Sequence, residues 1–278
     1  MPNAHLEVSD VNNSNAKFNI MPNVVFNGTD SLGTGVDLFL PKDHRQDSVS
    51  FTLTWTNLSG AMYQGKPITK IVSHFSLENI KGYDKVWFQA ADNPYYGYSF
   101  GGKLTRTMSF YYADGAKVNF TPGTAYLAVA SLNNYANLRN DYGIESDTVL
   151  SGGTAKGLYK SSVAAHGNSL YANLPNSVNS DGYSYATKYE RPDERLGFDS
   201  TVKSETNIPL GWDSRDSKDR YYGAGLIELN GDTLTDVIWA KTDGIRNGDK
   251  IRGFMWYNQS TVIPPSPSTT VSYHYNVA

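Results

Sequence analysis

Residues 211–225, Gly-Trp-Asp-Ser-Arg-Asp-Ser-Lys-Asp-Arg-Tyr-Tyr-Gly-Ala-Gly, gather one Trp, two Tyr and six charged side chains into fifteen positions. Asp213, Asp216 and Asp219 are offset by Arg215, Lys218 and Arg220, and the stretch runs directly into the apolar segment Leu226-Ile227-Glu228-Leu229. A polar loop that carries aromatics and ends on a rigid strand is a common way to build a binding rim. The competing reading is a self-neutralised, solvated loop in which Trp212 is a core anchor.

The chemistry such a rim suits best is sugar recognition. An aromatic ring lies under the C–H face of a pyranose, while amides, carboxylates and hydroxyls bond the sugar hydroxyls at its edge. Trp212 and Tyr221 or Tyr222 supply stacking faces, with Asp213 beside them. Two other loops carry the same residue types: 92–98 offers Asp92, Asn93, Tyr95 and Tyr96, and 133–142 offers Asn133, Asn134, Tyr135 and Asp141. All three adjoin apolar strand-like segments, so they could converge at one mouth. If they do not, their aromatics cap a core.

Other motifs carry less. Gly97-Tyr98-Ser99-Phe100-Gly101 matches a Gly-x-Ser-x-Gly nucleophile pattern, but that elbow needs a helix after the serine, and residues 103–111 read as a strand. The triple-spaced Asp213, Asp216 and Asp219 lack the alternating oxygens, central Gly and closing Glu of an EF-hand. A looser calcium site drawn from several loops stays open, with Asp92 and Asp213 as ligands. The five His residues are scattered and form no His-x-x-x-His pair, which argues against a transition-metal site. Glu228 and Asp236 are carboxylates a glycosidase could use, but their spacing shows no apposition. No catalytic residue is assigned.

Bulk properties narrow the classes. The 278 residues carry a net charge of −3, with 39% hydrophobic and 18% charged residues. No apolar run approaches the roughly 20 residues of a spanning helix. Nucleic-acid binders show a basic footprint, and no Lys/Arg run here exceeds two residues. That argues against nucleic acid as the main ligand without excluding it. Cysteine is absent, which removes disulfides, thiol catalysis and thiolate metal sites. A core of this size can do without disulfides. Twenty Tyr among many Asn, Ser, Thr and Gly residues combine rigid faces with adaptable hydrogen bonding.

The elements that must position these loops are strands. Residues 1–44 read as an irregular lead-in with one or two edge strands, Val36 to Leu40 among them. Residues 49–56 alternate cleanly, Val49, Phe51, Leu53 and Trp55 facing one way, which marks a half-buried strand. Further strands are expected at 68–77, 86–91, 104–110, 224–229, 237–240 and 251–257, with a buried central one at 126–132. Residues 133–210 read as a long, poorly regular excursion, with short strand pieces near Val149 and 158–163. A Pro-rich spacer at 264–267 precedes a last strand at 271–275. The class is all-β, most simply two packed sheets with long loops.

Several blocks together resemble a known family. They are Thr54-Trp55-Thr56-Asn57-Leu58, the turn from Tyr63 to Val72, Ala128-Val129-Ala130-Ser131-Leu132-Asn133, and Gly211-Trp212-Asp213 followed by Tyr221-Tyr222-Gly223-Ala224-Gly225. Their order and spacing are similar to the glucan-binding protein C / antigen I/II variable-domain family of Gram-positive surface adhesins. The Trp-Asp and Tyr-Gly-Ala-Gly pairing is the most specific part. The resemblance implies a large two-sheet β-supersandwich, lectin-like, with a crevice built by long loops. It implies a place on the outer surface of a Gram-positive cell, within a larger wall-anchored protein, and it implies adhesion rather than catalysis. Members bind dextran-type α-glucan, host glycoprotein glycans or extracellular DNA, and calcium is a cofactor the family admits.

The expectation is therefore a single, monomeric adhesin domain over 1–278, with a family-like core of about 45–260 and a spacer plus last strand at 261–278. It is a non-enzyme, without direct membrane insertion. Its partner is a polysaccharide such as α-glucan or a host glycoprotein, bound through Trp212, Asp213, Tyr221, Tyr222, Asn133, Asn134, Asp92, Tyr95 and Tyr96. The alternative is an extracellular DNA-binding aggregation domain.

Overall fold

The structure is a computed structural model. It describes residues 4–24, 32–79, 85–138, 141–174, 176, 208–209, 211–213, 217–242 and 255–262. Eighteen strands follow one another in these residues: β1 (His5–Ser9), β2 (Lys17–Met21), β3 (Gly35–Phe39), β4 (Val49–Thr56), β5 (Met62–Tyr63), β6 (Lys66–Glu78), β7 (Trp87–Ala91), β8 (Tyr98–Gly101), β9 (Lys103–Tyr112), β10 (Tyr126–Ala130), β11 (Asn134–Leu138), β12 (Asp141–Ser151), β13 (Gly153–Gly157), β14 (Val163–His166), β15 (Ser169–Ala172), β16 (Gly225–Leu229), β17 (Leu234–Thr242) and β18 (Met255–Val262). Short 3₁₀ turns at Lys42–His44, Pro94–Tyr96 and Arg220–Gly223 punctuate them.

The strands form two antiparallel sheets. One runs β1-β4-β6-β9-β17-β12-β15-β14, with β11 on β12 and β5 on β6; the other runs β13-β16-β10-β18-β8-β7-β3-β2. Their inner faces make one core. Val49, Phe51, Leu53 and Trp55 of β4 are each 0% exposed, as period-two alternation requires of one face. Phe51 meets Phe88 of the opposite sheet at 4.8 Å between ring centroids, and Phe75 meets Tyr98 at 5.2 Å. The Trp55 indole N–H donates to the Ala91 carbonyl at 3.1 Å, tying the sheets across the core.

A charged group sits in this interior, with Asp147, also 0% exposed, close enough to act on the Tyr98 phenol. Arg106 on β9 lies directly opposite Asp236 on β17. Its Nε donates to Asp236 Oδ1 at 3.0 Å, a second nitrogen to Oδ2, and its remaining nitrogen to the Tyr98 hydroxyl at 2.7 Å. Both charged side chains are 0% exposed. Burial drives the Asp236 carboxyl up against the pull of Arg106, and drives the Tyr98 phenol well above its ordinary range.

The chain between 133 and 172 is more regular than its sequence suggests: β11 to β15 fill most of it. β13 and β14 close sheet edges, whereas β12 lies between β17 and β15 and contains the piece expected near Val149; of the piece expected at 158–163 only Val163 is in a strand. In β13 only Ala155 is buried, so no alternation betrays it. The lead-in likewise holds three strands rather than one or two, β1 and β2 each closing one edge of a sheet. The sequence-expected strand at 271–275 lies outside the described residues.

Candidate functional site at the sandwich end

The site grows from the point where the chain leaves one sheet for the other. β10 belongs to the eight-stranded sheet and β11, four residues on, to the ten-stranded one. The crossover is made by Ser131, whose φ of 66° lies in the left-handed region, an uncommon conformation for a residue with a Cβ. It leads the Leu132 N–H to the Gly223 carbonyl (2.9 Å) and the Asn133 carbonyl to the Glu145 N–H (2.8 Å). The crossover is thus stitched to the Arg220–Gly223 turn on one side and to β12 on the other.

Asn133 is the hub. Its backbone N–H donates to Glu145 Oε2 at 2.8 Å, and its side-chain amide donates to the same oxygen at 3.1 Å and to Asp213 Oδ2 at 3.0 Å. Ser131 adds a hydroxyl bond to Asp213, and the Arg220 charge also favours that carboxylate. Desolvation outweighs both and raises the Asp213 pKa. Glu145 is 5% exposed. Burial, helped by repulsion from Asp213, lifts it to about 8 against the bonds from Asn133. At neutral pH it is a neutral acid: two carboxyl groups share one amide and cannot both ionise cheaply.

Trp212 is an anchor in this site. It is 2% exposed, so its ring faces are spent on packing and are not open for stacking. Its indole N–H donates to the Asn176 carbonyl at 2.9 Å, and the Tyr222 ring meets it edge-on at 5.9 Å. A Cβ on Gly223 would come within 1.9 Å of the Trp212 ring, and one on Gly225 within 2.7 Å of Leu170. The Trp-Asp and Tyr-Gly-Ala-Gly signature therefore has a packing cause. Gly223 lets the indole seat on the turn, Gly225 makes room for Leu170, and the seated indole sets its neighbour Asp213 at Asn133.

The remaining expected residues divide. Asn134 is 0% exposed. Its backbone N–H donates to Asn176 Oδ1 and its amide to the Ala172 carbonyl, so it braces the crossover rather than meeting a ligand. Tyr222 is 8% exposed and Tyr221 38%, leaving Tyr221 as the open ring on this turn. Asp92 accepts the Thr34 hydroxyl. Tyr95 is 45% exposed, with its ring 5.8 Å from that of Tyr96, and Tyr96 packs on Val24, Leu32 and Ala91.

The 92–98 loop and the crossover after β10 flank one strand, Tyr98 lying opposite Tyr257 and Ala130 opposite Asn258. The Pro94–Tyr96 turn packs against β18, and β18 stands between β8 and β10 in the sheet. Among the described residues no three or more carboxylates or imidazoles gather where they could hold a metal ion. Nor does the Asp213 group suit calcium as it stands: Asn133 points N–H groups at both carboxyls, where a cation of six to eight oxygen ligands needs lone pairs. The enzyme candidates are accounted for as well. Ser99 is 2% exposed within β8, Asp236 is held by Arg106, and Glu228 faces Lys156 at 3.5 Å on the other sheet.

Glu145 was not among the expected residues. Its signal was a parity: Glu145, Asp147 and Val149 share one face of β12, and all three are buried. An acid in step with a core valine marks a carboxyl facing inward.

Two packed antiparallel sheets, with hydrophilic side chains gathered where the chain passes from one to the other, define a large lectin-like β-sandwich. The chain belongs to the glucan-binding protein C family, whose model matches residues 3–260. Its fold is similar to that of the adhesin domain of PrgB from Enterococcus faecalis, with a TM-score of 0.56, 17% identity, and 92% of this chain and 91% of that one covered. The same domain solved bound to DNA gives 0.54 and 16%, covering 91% and 93%. Glucan-binding protein C of Streptococcus mutans, reported to mediate sucrose-independent and sucrose-dependent adherence, gives 0.54 and 16%, covering 91% of this chain and 76% of that one. No helix among the described residues is long and apolar enough to cross a membrane.

Proposed function

We propose that this chain is a non-catalytic adhesin domain of a bacterial cell surface, and that it binds a neutral polysaccharide of the α-glucan type at the sandwich end. The observation that carries this reading is the exposed ring of Tyr221, on the same short turn whose Arg220 acts on the Asp213 carboxyl bonded by Asn133. An open aromatic face, with a partly exposed carboxylate within reach of the neighbouring Arg220, is the minimum a pyranose needs. Family membership supports glucan as the sugar. A single ring and two polar groups make a weak site, and display of many copies on a cell would supply the avidity.

Duplex DNA is the second reading, because a domain of similar fold has been solved with DNA bound. A net charge of −3 weighs against it here.

The test is binding of the purified chain to dextran and to a 20-base-pair duplex, each at low and at physiological salt. The expected result is saturable dextran binding that survives salt and falls about tenfold or more in Tyr221→Ala. Binding to the duplex alone, collapsing as salt rises, would overturn the glucan reading.

A further inference from the structure

A groove of about 470 Å³ opens on the eight-stranded sheet, well away from the sandwich end, and is lined by Asp37, Phe39, Arg45, Lys85, Trp87 and Gln89 among others. Its floor follows from strand register. Asp37 of β3 lies directly opposite Gln89 of β7, and the Gln89 amide donates to Asp37 Oδ1 at 3.0 Å. Two residues along each strand, on the same face, stand Phe39 and Trp87. Phe39 is 48% exposed, and Trp87 is half-buried. Strands are about 4.8 Å apart, so a hydrogen-bonding pair and an aromatic pair sit side by side on one small patch.

The rim is cationic by construction. The Val86 N–H donates to the Arg45 carbonyl at 2.6 Å, which joins the segment after the Lys42–His44 turn to the start of β7 and sets exposed Arg45 and Lys85 at one groove. Lys85 is close enough to act on the Asp37 carboxyl. Lys17 of β2 pairs in register with Phe39, adding an exposed cation on the far side.

We propose that this groove is a second saccharide site, distinct from the sandwich end, that takes one sugar unit bearing a carboxylate or a sulfate. Trp87 and Phe39 cover the ring face, Asp37 and Gln89 exchange hydrogen bonds with its hydroxyls, and Arg45 and Lys85 meet the acid. The groove has the volume of a small-molecule pocket. A duplex would instead need cations tracking a run of phosphates. The proposal stands independently of the glucan reading, which is scored on dextran.

The test uses the whole chain on a printed panel of carboxylated, sulfated and neutral oligosaccharides, with a 20-base-pair duplex in parallel. Acid-bearing spots should be retained, weakened at least tenfold in Trp87→Ala and by a similar factor in the Arg45→Ala/Lys85→Ala double variant. The double variant alters exposed side chains only, so it decides the matter if Trp87→Ala fails to fold. Retention confined to neutral spots, no retention at all, acid-spot binding that survives the double variant, or a double variant that loses only the duplex would each overturn the proposal.

Discussion

Two buried polar groups in this sandwich are built on opposite plans. Inside the core, Arg106 and Asp236 are register neighbours of opposite charge, bonded twice to each other and once across to Tyr98. At the sandwich end, Glu145 and Asp213 are like groups held on either side of one Asn133 amide. The first joins opposite charges directly. The second leaves carboxyl protonation to be set by surroundings, and its outer member, Asp213, reaches the surface. The comparison teaches that burial alone does not distinguish scaffold from site; whether the charges cancel within the group does.

The comparison can be broken at three points. Arg106→Met leaves Asp236 buried without its cation, a loss of about 3–5 kcal/mol, and the melting temperature should fall by about 5–10 °C. The double variant Arg106→Met/Asp236→Leu should recover most of that loss. If the single variant melts like the parent, the core pair is not what it seems. Gly223→Ala should cost about 2–3 kcal/mol, because the new Cβ collides with the Trp212 ring. Near-UV circular dichroism should report the displaced indole, and an unchanged spectrum would count against the seated-indole account.

Glu145→Gln has the smallest effect and the most specific. The folded pKa of Glu145 is raised to about 8, from an ordinary value of 4.5. A carboxyl raised on folding favours the native state at low pH, so stability falls as pH rises from about 4.5 to about 8. Glutamine mimics the neutral acid, and one oxygen can still accept both Asn133 bonds. The variant should therefore be a few degrees more stable than the parent at pH 8 and should match it near pH 4. Parallel melting profiles for the two proteins across that range would remove Glu145 from the account.

The sandwich was legible because its strands alternate against water on one face. β4 runs over Val49–Thr56, the same bounds the alternation gives. Of the strands from β11 to β15, the piece expected near Val149 was legible and lies in β12; β13, β14 and β15 are only four or five residues long and bury too little to leave a pattern. The site was legible in part. Asp213, Asn133 and Tyr221 stand out as residue types, and their joining depends only on Trp212 finding its seat. Trp212 reads two ways in sequence, as a stacking face or as a core anchor, and its burial, its bond to Asn176 and the missing Cβ of Gly223 decide for the anchor. The 92–98 loop shares the residue types of a sugar site, and β18, distant in sequence, stands between it and the crossover.

That strand has a further consequence for how the domain is made. β18 holds the middle of the eight-stranded sheet, pairing β10 on one side and β8 on the other. Its partners appear much earlier in the chain. Until residues 255–262 have been synthesised and delivered, β8 and β10 each present an open edge, and the sheet exists as two separate ribbons. Closure is a late, non-local step of the kind that slows folding, and the waiting edges are templates for wrong pairing. Chains cut short of residue 255 should therefore aggregate rather than fold as smaller versions of the domain.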